Sequence, residues 1–92
     1  NTFAGIGEIK DFGDHVTIYP NPASGYVKIM LNNLGHSDFN YELFNAMGQR
    51  VKTGEINYLI TEVNAADLQA GIYFLKVFNT SNTITKRLVL NR

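Results

Sequence analysis

The sequence predicts an all-β chain folded as an antiparallel sandwich of about seven strands. Three observations predict it. Apolar residues recur with a period of two from His15 onward. Clusters of Pro, Gly, Asn and Ser interrupt that pattern at short intervals. No stretch repeats apolar residues at the helical period for more than one turn.

The elements follow in order. Val16 and Ile18 alternate with Thr17 and Tyr19 in a strand near 15–20. Pro20-Asn21-Pro22-Ala23-Ser24-Gly25 leaves the sheet, because proline cannot donate to the ladder. Val27, Ile29 and Leu31 share one face of a strand near 26–32, and Asn32 to Asp38 is a polar loop. Tyr41 and Leu43 mark a strand near 39–46. The turn Ala46-Met47-Gly48-Gln49 follows, with Gly48 supplying a positive φ. Val51 and Thr53 are placed together in a strand near 49–55, and Thr61, Val63 and Ala65 mark one near 59–64. Ala65 to Ala70 is read as a short 3₁₀ piece. Strand six, near 71–79, is apolar on both faces. Tyr73, Leu75 and Val77 lie on one, and Ile72, Phe74 and Phe78 on the other. The second face is either covered by other parts of the chain or offered to a partner. Asn79 to Asn82 turns the chain into a last strand near 83–90.

Leu68-Gln69-Ala70-Gly71-Ile72-Tyr73 resembles a tyrosine corner, which makes the predicted sandwich immunoglobulin-like. Leu68 fills the core, Gly71 permits the bend, and the Tyr73 hydroxyl is expected on a backbone carbonyl near Asp67. Lys86 is unusual, because it shares the apolar phase of Ile84, Leu88 and Leu90. Either its stem packs while the ammonium reaches water, or it presents a charge to a receptor.

The chain has 92 residues, eight basic and eight acidic side chains, and no cysteine or tryptophan. That length fits one domain, burying about 60–65% of the unfolded surface and leaving little room for a deep active site. Zero net charge argues against phosphate-driven nucleic-acid binding and polybasic membrane contacts. The absence of cysteine removes disulfides, thiolate nucleophiles and Cys-type zinc sites.

Candidate chemistry is sparse. His15 and His36 have no carboxylate at metal-ligand spacing and read as exposed loop residues. Ser24 is not in a nucleophile elbow, Asp11-Phe12-Gly13 is a chance triplet, and Gly5-Ile6-Gly7 lacks a third glycine. Asn79-Thr80-Ser81 is a weak glycosylation match. Asp38, Glu42, Glu55, Glu62 and Asp67 are scattered, and no cofactor or metal is implied.

Three motifs taken in order are similar to a known family. Tyr19-Pro20-Asn21-Pro22 comes first, before the apolar strand containing Ile29. Gly48-Gln49-Arg50-Val51 follows Tyr41-Glu42-Leu43-Phe44-Asn45. Leu68-Gln69-Ala70-Gly71-Ile72-Tyr73 and then Lys86 close the series. Together, over about His15 to Arg92, they resemble a C-terminal sorting domain of the type IX (Por) secretion system of Gram-negative bacteria. Asn64-Ala65-Ala66 departs from the pattern, since the family often has a larger apolar residue there.

The resemblance implies a non-catalytic signal at the end of secreted cargo, folded as a seven-stranded immunoglobulin-like sandwich. Its implied partners are the type IX translocon, an outer-membrane shuttle protein, a sortase and a covalently joined upstream cargo. The implied route runs through the periplasm to the cell surface or the medium. The sortase usually removes the domain and can attach the cargo to lipopolysaccharide. Residues 1–14 are then a flexible tether from the cargo, with cleavage near Gly5-Ile6-Gly7, and 15–92 the sorting domain. Strand edges offer a route to self-association. Two other readings compete. One is an immunoglobulin-like adhesion or carbohydrate-binding module using Tyr26, Tyr58 and Phe78. The other is a passive spacer.

Overall fold

The computed structural model describes residues 11–32, 38–56 and 59–91. Seven strands are present: β1 (Val16–Tyr19), β2 (Tyr26–Leu31), β3 (Phe39–Asn45), β4 (Arg50–Ile56), β5 (Ile60–Asn64), β6 (Gly71–Phe78) and β7 (Thr83–Leu90). They form two sheets, ordered β1-β2-β5 and β4-β3-β6-β7, and every neighbouring pair of strands is antiparallel. This is the predicted sandwich.

Alternation is what pairs the sheets. Val16, Val27, Ile29 and Val63 face inward from the three-stranded sheet. Leu43, Tyr73, Leu75, Val77, Leu88 and Leu90 face them from the four-stranded one. Each of these side chains is buried, and a fully buried Val, Leu or Ile contributes about 1.5–3 kcal/mol.

Four local features differ from the sequence reading. The packed part of the chain begins ahead of His15, with a 3₁₀ turn at Phe12–His15. Phe12 is buried and its ring stacks on Phe39, centroids 5.2 Å apart. A single aromatic without periodic neighbours gives no alternation to read. Ala65 to Ala70 is a simple turn instead of a 3₁₀ helix. Asn64 Oδ1 takes the Ala66 N–H (2.9 Å), and the Leu68 N–H donates to the Ala65 carbonyl (3.1 Å). In β4 the register shifts opposite Leu43 and Phe44, so Val51 packs on the core while Thr53 is exposed. A bulge of this kind inserts one residue and reverses the phase after it. His15 is half-buried instead of exposed. Its Nδ1 lies 2.8 Å from the Asn32 carbonyl, and its own carbonyl accepts the Asn32 N–H, tying the start of β1 to the end of β2.

Gly54 lies opposite Tyr41, and a Cβ there would come within 2.7 Å of the ring. The missing side chain lets that ring lie across the strand. His36, Tyr58, Gly5, Ile6, Gly7 and Arg92 lie outside the described residues.

Candidate recognition surface

The first motif is a clasp on the last strand. Pro20 and Pro22 keep the segment after β1 out of the three-stranded sheet, and both of their peptide bonds are cis. The Asn21 side chain reaches β7 of the other sheet. Its Nδ2 donates to the Arg87 carbonyl (2.9 Å), and its Oδ1 accepts the Val89 N–H (3.0 Å). A carboxamide thus stands in for one peptide unit of a neighbouring strand. Ala23 continues the pairing through its own backbone. Its N–H donates to the Val89 carbonyl (2.9 Å), and its carbonyl accepts the Asn91 N–H (2.7 Å). A parallel bridge joins Ala23 to Leu90. The proline-flanked segment therefore replaces a strand along the C-terminal half of the β7 edge.

The central hairpin is organised by Asn45 as much as by Gly48. Asn45 Oδ1 accepts the backbone N–H groups of Met47 (3.0 Å) and Gln49 (2.9 Å). Its Nδ2 donates to Gln49 Oε1 (2.9 Å), and its carbonyl accepts the Gly48 N–H (3.0 Å). Gly48 has φ 86°, a left-handed value that a Cβ makes costly. Met47, at the tip, is 84% exposed.

The third motif is a tyrosine corner as expected, with one shift. The buried Tyr73 ring sends its hydroxyl to the Gln69 carbonyl (2.7 Å), four residues upstream, and not to one nearer Asp67. Leu68 packs against the core. Gly71 has φ 151°, and a Cβ at this position would meet nothing within 4 Å, so conformation and not space calls for glycine there.

Strand register brings these distant motifs together. Leu90 lies between Ala23 and Gly71, and Tyr73 lies between Asn45 and Leu88. The clasp, the root of the central hairpin and the tyrosine corner thus share two rows, successive on one face, at one end of the four-stranded sheet. Lys52 ties the corner turn to β4 through Asp67, with Nζ 3.1 Å from Oδ1. Lys86 lies opposite Leu75, in the inward phase and only partly buried. Neither Lys86 nor Arg87 has an ion-pair partner among the described residues. Val51, in β4, joins the same body by packing against the core.

The outer face of this sheet is open. Ile72 is 44% and Phe74 38% exposed, with Phe44 opposite Phe74. Glu42 carries the charge on that face, 3.0 Å from Arg50 and 3.8 Å from Lys76. Lys76 also sits over the Phe78 ring, 4.7 Å from its centroid. These exposed pairs contribute little to stability.

Little here supports chemistry. Among the described residues, no group of three His, Asp or Glu side chains is placed to hold a metal ion. A shallow groove beside Asp38, Asn40, Phe78, Asn79 and Thr80 is wide and open. Asn79 Oδ1 is turned into its own hairpin, where it accepts from the Ser81 and Asn82 backbones (2.9 and 2.8 Å). Tyr26 belongs to the three-stranded sheet and Phe78 to the four-stranded one. The described aromatics proposed for sugar stacking therefore form no row.

Sequence reasoning missed Asn45, Ala23, Asn64 and Phe12 as organising residues. For Asn45 and Asn64 a signal existed, since Asn two residues before a turn N–H habitually bonds it.

The family described as "Secretion system C-terminal sorting domain" matches residues 17–91. No curated protein matches the chain.

Proposed function

The chain belongs to the family of type IX secretion system C-terminal sorting domains, and from that premise we propose that it is a non-catalytic export signal read as a folded surface. The observation that carries this is the meeting of three separate motifs at one end of the four-stranded sheet. A linear signal gains nothing from such convergence, whereas a surface signal depends on it.

In this reading the upstream cargo and its domain cross the inner membrane, and the machinery reads the domain in the periplasm once it has folded. The translocon and an outer-membrane shuttle protein bind the end of the sheet that carries the clasp, Met47 and the last strand. Tyr19, Pro20, Asn21, Pro22, Gly48, Val51, Leu68, Gly71 and Tyr73 hold the surface in shape. Lys86 supplies a contact. Once the cargo has crossed the outer membrane, a sortase cuts the tether ahead of the packed Phe12, near Gly5-Ile6-Gly7, leaving the cargo at the surface or in the medium.

Residues 1–92 fused to a periplasmic reporter in a type IX strain provide the test. Export to the surface or medium is expected, with the amino terminus of the released domain falling between Gly5 and Asp11, ahead of the buried Phe12. A reporter held in the periplasm overturns the sorting reading and leaves the spacer. Deleting Leu88 to Arg92 is a poor substitute, because it removes two core residues. Lys86→Ala spares the core and isolates the contact. Export that falls several-fold with the fold intact is the expected result.

A further inference from the structure

The clasp covers only half of the β7 edge. Asn21 and Ala23 bond the Arg87 carbonyl, both backbone groups of Val89 and the Asn91 N–H. These groups establish which residues of β7 point away from β6: the odd-numbered ones. By the same alternation, the N–H and C=O groups of Thr83 and Thr85 and the N–H of Arg87 also point outward. None of them has a hydrogen-bond partner among the described residues.

This open stretch differs from the other edges. β1 is four residues long and runs into Pro20, β5 is five residues long, and β4 is bent by its bulge. Short strands, proline and bulges are the usual protections against edge pairing. β7 pairs with β6 without a register shift over eight residues and has no proline. Its open part is bounded at one end by the clasp. At the other lies the hairpin turn, closed by the Asn79 N–H on the Asn82 carbonyl (2.9 Å). About five residues, or roughly 16 Å, lie between these limits.

Charge selects what fits there. β6 and β7 carry Lys76, Lys86 and Arg87 and no acidic residue. Glu42 on β3 engages Lys76. Lys86 and Arg87, on opposite faces of the edge strand, are left without an anion among the described residues.

We propose that the Thr83–Arg87 edge is a strand-addition site for a short extended peptide of the secretion machinery that carries acidic side chains. The proposal deepens the sorting reading, on which it rests for the source of the peptide. Main-chain bonds to Thr83, Thr85 and Arg87 give the binding, and carboxylates against Lys86 and Arg87 give the selection. The clasp sets one limit of the site, because it closes the edge beyond Arg87.

Amide exchange of residues 1–92 tests this with a six-residue peptide carrying two adjacent glutamates flanked by valine and threonine, so that one carboxylate lies on each face, and with its lysine counterpart. The expected result is about tenfold slower exchange at Thr83, Thr85 and Arg87 with the acidic peptide alone. Thr85→Pro removes one outward N–H without breaking a β6 bond and is expected to abolish the protection. The Lys86→Glu, Arg87→Glu double variant is expected to prefer the lysine peptide, which keeps the test decisive if the proline variant fails to fold. Three results each overturn the proposal: no protection at millimolar peptide, protection confined to another edge such as β4, or an unchanged preference in the double variant. Reporter export by the wild-type chain is scored separately. Export without peptide protection removes the strand-addition site and leaves the sorting reading intact.

Discussion

Asparagines carry much of the local order in this domain, and each does so by lending its side chain to the backbone. Asn21 is the most consequential, because its partners on β7 lie 66 and 68 positions away. Asn21→Ala is expected to lower stability by about 1 kcal/mol. Exchange at the Val89 amide should speed up more than elsewhere; an unchanged Val89 amide would show that the clasp is not needed. Tyr73→Phe removes the bond to Gln69 and keeps the ring. A drop of about 1 kcal/mol in urea unfolding is expected, and an unshifted midpoint contradicts the corner's role. Gly48→Ala forces a Cβ into φ 86°, with an expected cost of about 1–2 kcal/mol. The roles of Gly48 and Tyr73 were legible in the sequence, since each belongs to a turn contained in a few residues. The clasp was not, because a side chain that bonds a strand so distant leaves no local pattern.

At the scale of elements, alternation was nearly sufficient. It located all seven strands to within one or two residues, and the core residues of β2 and β6 follow its phase. It failed where the phase is broken from outside the strand. The bulge opposite Leu43 and Phe44 turned Val51 inward and Thr53 out. Phe12 was recruited by stacking on Phe39, a partner 27 positions away. β6 supplies the sharpest comparison. Its inner Leu75 is 1% exposed and its outer Phe74 38%. Leu75→Ala is expected to cost about 2–5 kcal/mol, and Phe74→Ser within about 0.5 kcal/mol of nothing. If Phe74→Ser proves equally damaging in thermal unfolding, the outer face is covered, and the open surface described for β6 is wrong.

At the scale of the molecule, the two sheets are joined along one side by the clasp, and the three sequence motifs gather where it closes. The sequence contained all of the motifs but not their meeting point, which exists only through the registers of β3, β6 and β7. That meeting point carries the central claim, that the signal is a folded surface. The direct measurement compares reporter export by the wild-type fusion and by a Leu75→Asp fusion. The substitution places a charge in the core and leaves every motif residue in place. The wild-type reporter is expected outside the outer membrane and the Leu75→Asp reporter in the periplasm. Equal export of both would contradict the claim, because the machinery would then be reading a linear segment.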